Sequence, residues 1–195
     1  MGDPSVRPEG RGYMPYNPHS NHRRSIRLRD YDYSKEGAYF VTICTYNREF
    51  LFGEIENGKM RLNEYGAIIH DAWVITGQIR PNIKLDEWII MPNHVHLIII
   101  IGGDGRGTAR RAPTGEKFGK PTIGNIPTII RSFKSAVTKR INELRSLPGI
   151  PLWQRNFYEH IIRGENALNR IREYIIYNPM RWEEDEYYGD KMTSN

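Results

Sequence analysis

Residues 94–101, His-Val-His-Leu-Ile-Ile-Ile-Ile, carry no charged side chain, and the last five are all aliphatic. A short apolar run rich in β-branched residues reads as a strand covered on both faces, so it lies inside a sheet and not at its edge. His94 and His96 open that strand. Side chains alternate along a strand, so both imidazoles project from one face and Val95 from the other. Buried imidazoles need partners. They are either structural histidines satisfied by neighbours or a ready chelate for a divalent ion.

The neighbouring segments supply the rest of a sheet. Tyr39 to Thr45 reads as a strand, and Leu85 to Met91 as the antiparallel neighbour of the 94–101 strand across the Pro92-Asn93 turn. Leu51–Ile55 and Lys59–Leu62 flank Asn57-Gly58, a two-residue hairpin signal. Asn63 caps a helix whose apolar positions are Tyr65, Ile68, Ile69, Ala72 and Trp73. A second helix is expected over about Asn125 to Leu147, a strand over Trp153 to Ile162, and a third helix from Glu165 to Asn178, stopped by Pro179. The order contains β-α-β-β-α-β, so the expected fold is α+β: a ferredoxin-like sheet covered by helices, with an additional C-terminal helix.

The 195 residues suit one domain. The expected divisions are a basic arm over 1–29, a domain over 30–182 and an acidic tail over 183–195. Nothing resembles a membrane span, and the Arg- and Pro-rich start has no apolar core, so a cytoplasmic protein without a signal peptide is expected. A single cysteine, Cys44, excludes an internal disulfide and a cysteine-based zinc site. The net charge of +5 conceals an uneven distribution. Residues 1–29 contribute +4, 102–121 +3 and 122–147 +4, whereas 183–195 contribute −4. Basic charge gathered in an arm, a loop and one helix fits a polyanionic partner, most often nucleic acid. It also fits solvated surfaces.

Near the end of the third helix, Tyr174 and Asn178 are i, i+4 neighbours at the edge of the stripe Leu168, Ile171, Ile175 and Ile176. Read alone, they are two edge residues with Asn178 as a C-cap, or a phenol and an amide carbonyl facing a cleft. With His94 and His96, such oxygen donors suit Mg²⁺, Mn²⁺ or another oxygen-tolerant ion acting on a phosphate. A hydrolase barrel is excluded by length.

Three segments together, Met91-Pro92-Asn93-His94-Val95-His96-Leu97, Trp153 to Arg163 and Tyr174-Ile175-Ile176-Tyr177-Asn178-Pro179, closely resemble the single-tyrosine HUH transposases of bacterial insertion sequences, specifically the REP-associated tyrosine transposase branch. The resemblance covers roughly residues 23–182. It implies a metal-dependent endonuclease and strand transferase acting on single-stranded or hairpin DNA through a 5′-phosphotyrosine. It further implies Tyr174 as nucleophile, His94 and His96 as ligands of Mg²⁺ or Mn²⁺, and Asn178 as the third ligand, where related enzymes often carry Gln. The expected DNA contacts are Arg23, Arg24, Arg27, Arg131, Lys134, Arg145, Trp153 and Arg155, chosen for charge or for base stacking. A monomer and a homodimer are both compatible, and the short Arg163-Gly164-Glu165 connection leans to a tyrosine acting in its own chain. The competing readings are a domesticated hairpin-binding protein of the same fold, a non-catalytic nucleic-acid-binding module and a phosphodiesterase using water. The aromatic motif of RNA-recognition sheets is absent from the sequence.

Overall fold

The computed structural model describes residues 35–102 and 124–188. The arm carrying Arg23, Arg24 and Arg27, most of the 102–121 loop and the end of the acidic tail lie outside the described residues.

The elements are β1 (Gly37–Cys44), β2 (Gly53–Glu56), β3 (Lys59–Leu62), α1 (Glu64–Gln78), β4 (Ile83–Met91), β5 (His94–Ile101), α2 (Ile126–Leu144), β6 (Tyr158–Ile162) and α3 (Glu165–Tyr177). A 3-10 helix over Asn178–Glu184 follows α3. The main sheet is antiparallel in the order β4-β5-β1-β6. With α1 and α2 as crossovers, this is the β-α-β-β-α-β arrangement. β5 is central, as its apolar run requires.

The alternation along β5 and β1 divides the interior. Val95, Leu97 and Ile99, with Tyr39, Val41 and Ile43, belong to the large core that includes Trp73 of α1 and Phe133 of α2. Phe40, Ile98 and Ile162 form the opposite face, where Leu168 and Ile175 of α3 are buried. Each such aliphatic side chain contributes about 1.5–3 kcal/mol on burial. His94 and His96 share a face with Ile98, which places them beside α3. A bidentate pair adds direction to that small apolar contact: Arg172 donates from Nε and Nη2 to Asp86 on β4, both at 2.7 Å. That pairing holds the Asp86 carboxyl below its usual range.

Local chemistry explains the boundaries. Asn57 and Gly58 both take positive φ, 51° and 69°, as the β2–β3 turn demands. Asn63 accepts from the backbone N–H groups of Tyr65 and Gly66, and Asn125 from Thr128. Three expected spans shorten. β2 begins at Gly53 and not Leu51, because the N–H groups of Leu51 and Phe52 donate to the Pro92 carbonyl instead. α2 ends at Leu144, where Leu147 N–H turns back to Asn142 O and Ser146 adopts φ 53°. The expected 153–162 strand begins only at Tyr158; Trp153 forms an isolated bridge with Thr45.

Candidate metal and tyrosine site

β5 presents His94 and His96 side by side, with Nε2 atoms 3.0 Å apart. Their other ring nitrogens are fixed. His94 Nδ1 meets Asn93 Oδ1 at 2.8 Å, and Asn93 Nδ2 donates to the carbonyls of Tyr187 and Arg48. The Asn93 oxygen can therefore only accept, which puts the His94 proton on Nδ1 and a lone pair on Nε2. His96 Nδ1 lies 2.8 Å from Thr42 Oγ1 on β1. With its proton there, His96 also turns a lone pair to the same point. Two lone pairs this close repel unless a proton or a cation lies between them.

α3 brings the phenol. Tyr174 Oη is 3.2 Å from His96 Nε2 and 3.4 Å from Asp185 Oδ2. Its ring stands edge-on to Phe40 at 6.1 Å. Burial, with Asp185 and Glu186 nearby, pushes the phenol above its usual range, so Tyr174 rests protonated.

Asp185 is the residue that sequence reasoning missed. His94, His96 and Asp185 form the one group of three metal-capable side chains among the described residues, with donor atoms within 4.8 Å of one another. Asn178 Nδ2 donates to Asp185 Oδ2 at 2.6 Å, and its own Oδ1 is buried without a hydrogen-bond partner among the described residues. An orphaned buried carbonyl is costly and points to an absent partner. Two imidazoles and a carboxylate fit a hard or borderline divalent ion, while the Asn178 amide faces Asp185 through its nitrogen. The 3.0 Å spacing agrees, since ligands at right angles on an ion with bonds of about 2.1 Å stand about 3.0 Å apart.

Residues 183–188 do not stand apart from the domain as the expected tail division has it. Trp182 is buried, and Tyr187 lies over His94 with ring centroids 4.7 Å apart. Arg48 Nη1 donates to the Glu186 carbonyl. His94 and His96 are consequently 0% and 1% exposed. Only the signal of five acids could be read from the sequence, and it gave no indication that one carboxylate turns inward.

Burial holds both imidazoles neutral, and His96 is lowered from 6.5 to about 3. Between those values the unfolded chain binds a proton that the folded chain refuses. Stability is therefore full above about pH 6.5 and falls as pH drops toward 3. Thermal melts in chelator are expected to follow that course, and His96→Gln to flatten it; an unchanged slope in the variant would exclude His96 as the source.

The expected DNA-contacting residues separate. Arg131 and Arg155 are exposed. Lys134 is instead turned onto backbone, donating to Gln154 O at 2.6 Å and Arg155 O at 3.3 Å, and burial lowers it to about 8. Arg145 donates to Ile150 O at 3.2 Å. Trp153 is not a stacking platform: it is 6% exposed and packs on Phe52 and Phe133. Trp153→Ala is expected to cost about 3–5 kcal/mol of stability in urea unfolding. DNA affinity measured on the folded fraction should not change; a selective loss of affinity would restore the stacking role.

No protein-family model matches the chain. It is 42% identical over 181 residues to an uncharacterized protein of Haemophilus influenzae, covering 90% of this chain and 98% of that one, and it belongs to the same family as that protein. It is 29% identical over 163 residues to another Haemophilus influenzae protein, provisionally named a REP-associated tyrosine transposase, covering 83% of this chain and 77% of the relative. Among solved structures, it is similar in fold to a REP-associated tyrosine transposase bound to a REP hairpin, with a TM-score of 0.51 and 22% identity, covering 80% of this chain and 73% of the other.

Proposed function

We propose that this chain is a REP-associated tyrosine transposase, as its similarity to proteins of that name supports, and that it cuts and rejoins single-stranded DNA beside a hairpin, with Tyr174 as nucleophile. The observation that carries the reading is the meeting of Tyr174 Oη with His96 Nε2 at 3.2 Å, with His94 Nε2 a further 3.0 Å on. A phenol, two converging imidazoles and a carboxylate on facing elements are the parts a phosphoryl transfer needs.

His94, His96, Asp185 and Asn178 would hold the metal, Mg²⁺ or Mn²⁺. When bound, it supplies charge neutralisation at the phosphate. The chain's own residues do the rest. Asn93 fixes the His94 tautomer with its Nε2 lone pair aimed inward, and Thr42, whose hydroxyl can donate or accept, holds the His96 ring in place. Phe40 and His96 orient the tyrosine ring. Asp185 is placed to take the phenol proton as the Tyr174 oxygen bonds to phosphorus. The P–O3′ bond breaks, and the leaving 3′ oxygen takes up a proton. The products are a 5′-phosphotyrosyl link and a free 3′-OH. Because the link conserves the phosphodiester energy, a second 3′-OH reverses the step and joins a new strand.

Tyr174 reaches His96 of its own chain at 3.2 Å, and α3 follows β6 through Arg163 and Gly164 alone, with Gly164 at φ 82°. This supports a tyrosine acting in its own subunit. No helix among the described residues is long and apolar enough to cross a membrane; the cytoplasm, where bacterial DNA lies, is the proposed place of action. The cover over His94 and His96 favours one second reading, a hairpin-binding protein whose chemistry is silent. Incubation with Mn²⁺ and hairpins carrying randomised 5′ extensions separates the two: a denaturation-resistant protein–DNA adduct is expected, and hairpin binding without any adduct would select the silent binder.

A further inference from the structure

Arg170, Tyr174, Tyr177 and Arg181 recur at steps of four, three and four along α3 and the 3-10 helix that follows. Up to Tyr177 such steps put side chains on one side of α3; Arg181 follows a kink, at φ −112° and ψ 22°, and joins them through the fold of the 3-10 segment. They line a cleft of about 550 Å³ that also reaches Asn178. The cleft is the open side of the tyrosine, whose other neighbours are Phe40 and His96, and Asp185 lies in its wall.

Tyr177 is 49% exposed, and its hydroxyl plays no part in the site described above. Arg170 and Arg181 are exposed and make no ion pair among the described residues, unlike Arg172, which is committed to Asp86. An unpaired guanidinium on each side of a bare aromatic ring is the combination that holds a single strand: charge for the phosphates, a π-face for a base. The step from Arg170 to Tyr174 is about 6 Å along the helix axis, so the arginine and the reacting oxygen address neighbouring parts of one strand. Glu173, Glu184 and Asp185 also line the cleft. They lower its attraction for phosphate but offer acceptors to the amino groups of bases.

We propose that this cleft is the binding site for the single strand flanking the cut, with Tyr177 stacking on a base and Arg170 and Arg181 holding adjacent phosphates. The proposal rests on the reading that the strand is cut at Tyr174, but it can be tested without cutting. Affinities of the full chain are compared, in chelator, for a blunt DNA hairpin and for the same hairpin with a thymidine-only 5′ extension. The extension is expected to tighten binding by about tenfold, the scale of one stacked base. Tyr177→Ala and the double variant Arg170→Ala/Arg181→Ala should lose that gain and keep blunt-hairpin affinity, while Tyr177→Phe retains it.

No gain in the wild-type protein, or a gain undiminished in Tyr177→Ala, overturns the proposal. So does an equal loss with both hairpins, which would mark Tyr177 as structural. A gain that Tyr177→Ala abolishes, in a protein that forms no adduct with Mn²⁺, keeps the cleft and removes the nucleophile instead.

Discussion

Tyr174→Phe abolishes the covalent protein–DNA adduct and leaves hairpin binding in place. The variant removes one oxygen and keeps the ring that packs on Phe40, so folding is not at stake. Adduct formation should fall by a factor on the order of 10⁶, the scale on which loss of a nucleophile acts. Tyr177→Phe is the control. Its hydroxyl lies on the cleft and not at His96, so its adduct should form at the wild-type rate. Gel electrophoresis under denaturing conditions with end-labelled DNA reads both. An undiminished adduct in Tyr174→Phe would remove Tyr174 from the chemistry, and transfer of the effect to Tyr177→Phe would reassign it.

The other large effect belongs to the paired imidazoles. Mn²⁺ at about 100 times its dissociation constant should raise stability by about 2.7 kcal/mol in the wild-type protein. His94→Ala/His96→Ala should show no such rise, because the two converging lone pairs are gone. The same variant should lose adduct formation while retaining hairpin affinity. Asp185→Asn separates the roles of the carboxylate. If it only ligates, the metal-induced rise shrinks in step with activity; if it also accepts the phenol proton, activity falls further than the metal response. A metal-induced rise that survives the double alanine change would place the ion elsewhere.

The elements differ in how openly the sequence announces them. The β2–β3 turn and the cap of α1 depend on single residues, Asn57-Gly58 and Asn63, whose preferences act within a few positions. The charge-free 94–101 run identified a central strand because no exposed position would tolerate it. The Trp153 segment failed for the opposite reason. Its aromatic residues fit a strand, but Lys134 captures the carbonyls of residues 154 and 155, and Trp153 fills a gap between Phe52 and Phe133. Partners 20 or more residues away decided it.

The same division runs through the site. Spacing alone determined that His94 and His96 share a face and that Tyr174 and Asn178 share another, because strand and helix periods are local geometry. Which face of the sheet α3 covers, and hence that phenol and imidazole meet, depended on burial of Leu168 and Ile175 over Phe40, Ile98 and Ile162 and on the Asp86–Arg172 pair. Asp185 was decided by tertiary structure alone. In the sequence it is one acid among five near the C-terminus; buried Trp182 and the Asn93 and Arg48 hydrogen bonds turn that segment inward and leave this carboxylate beside the histidines. A residue's chemistry is written in the chain, but its neighbours are set by the packing of distant apolar surfaces.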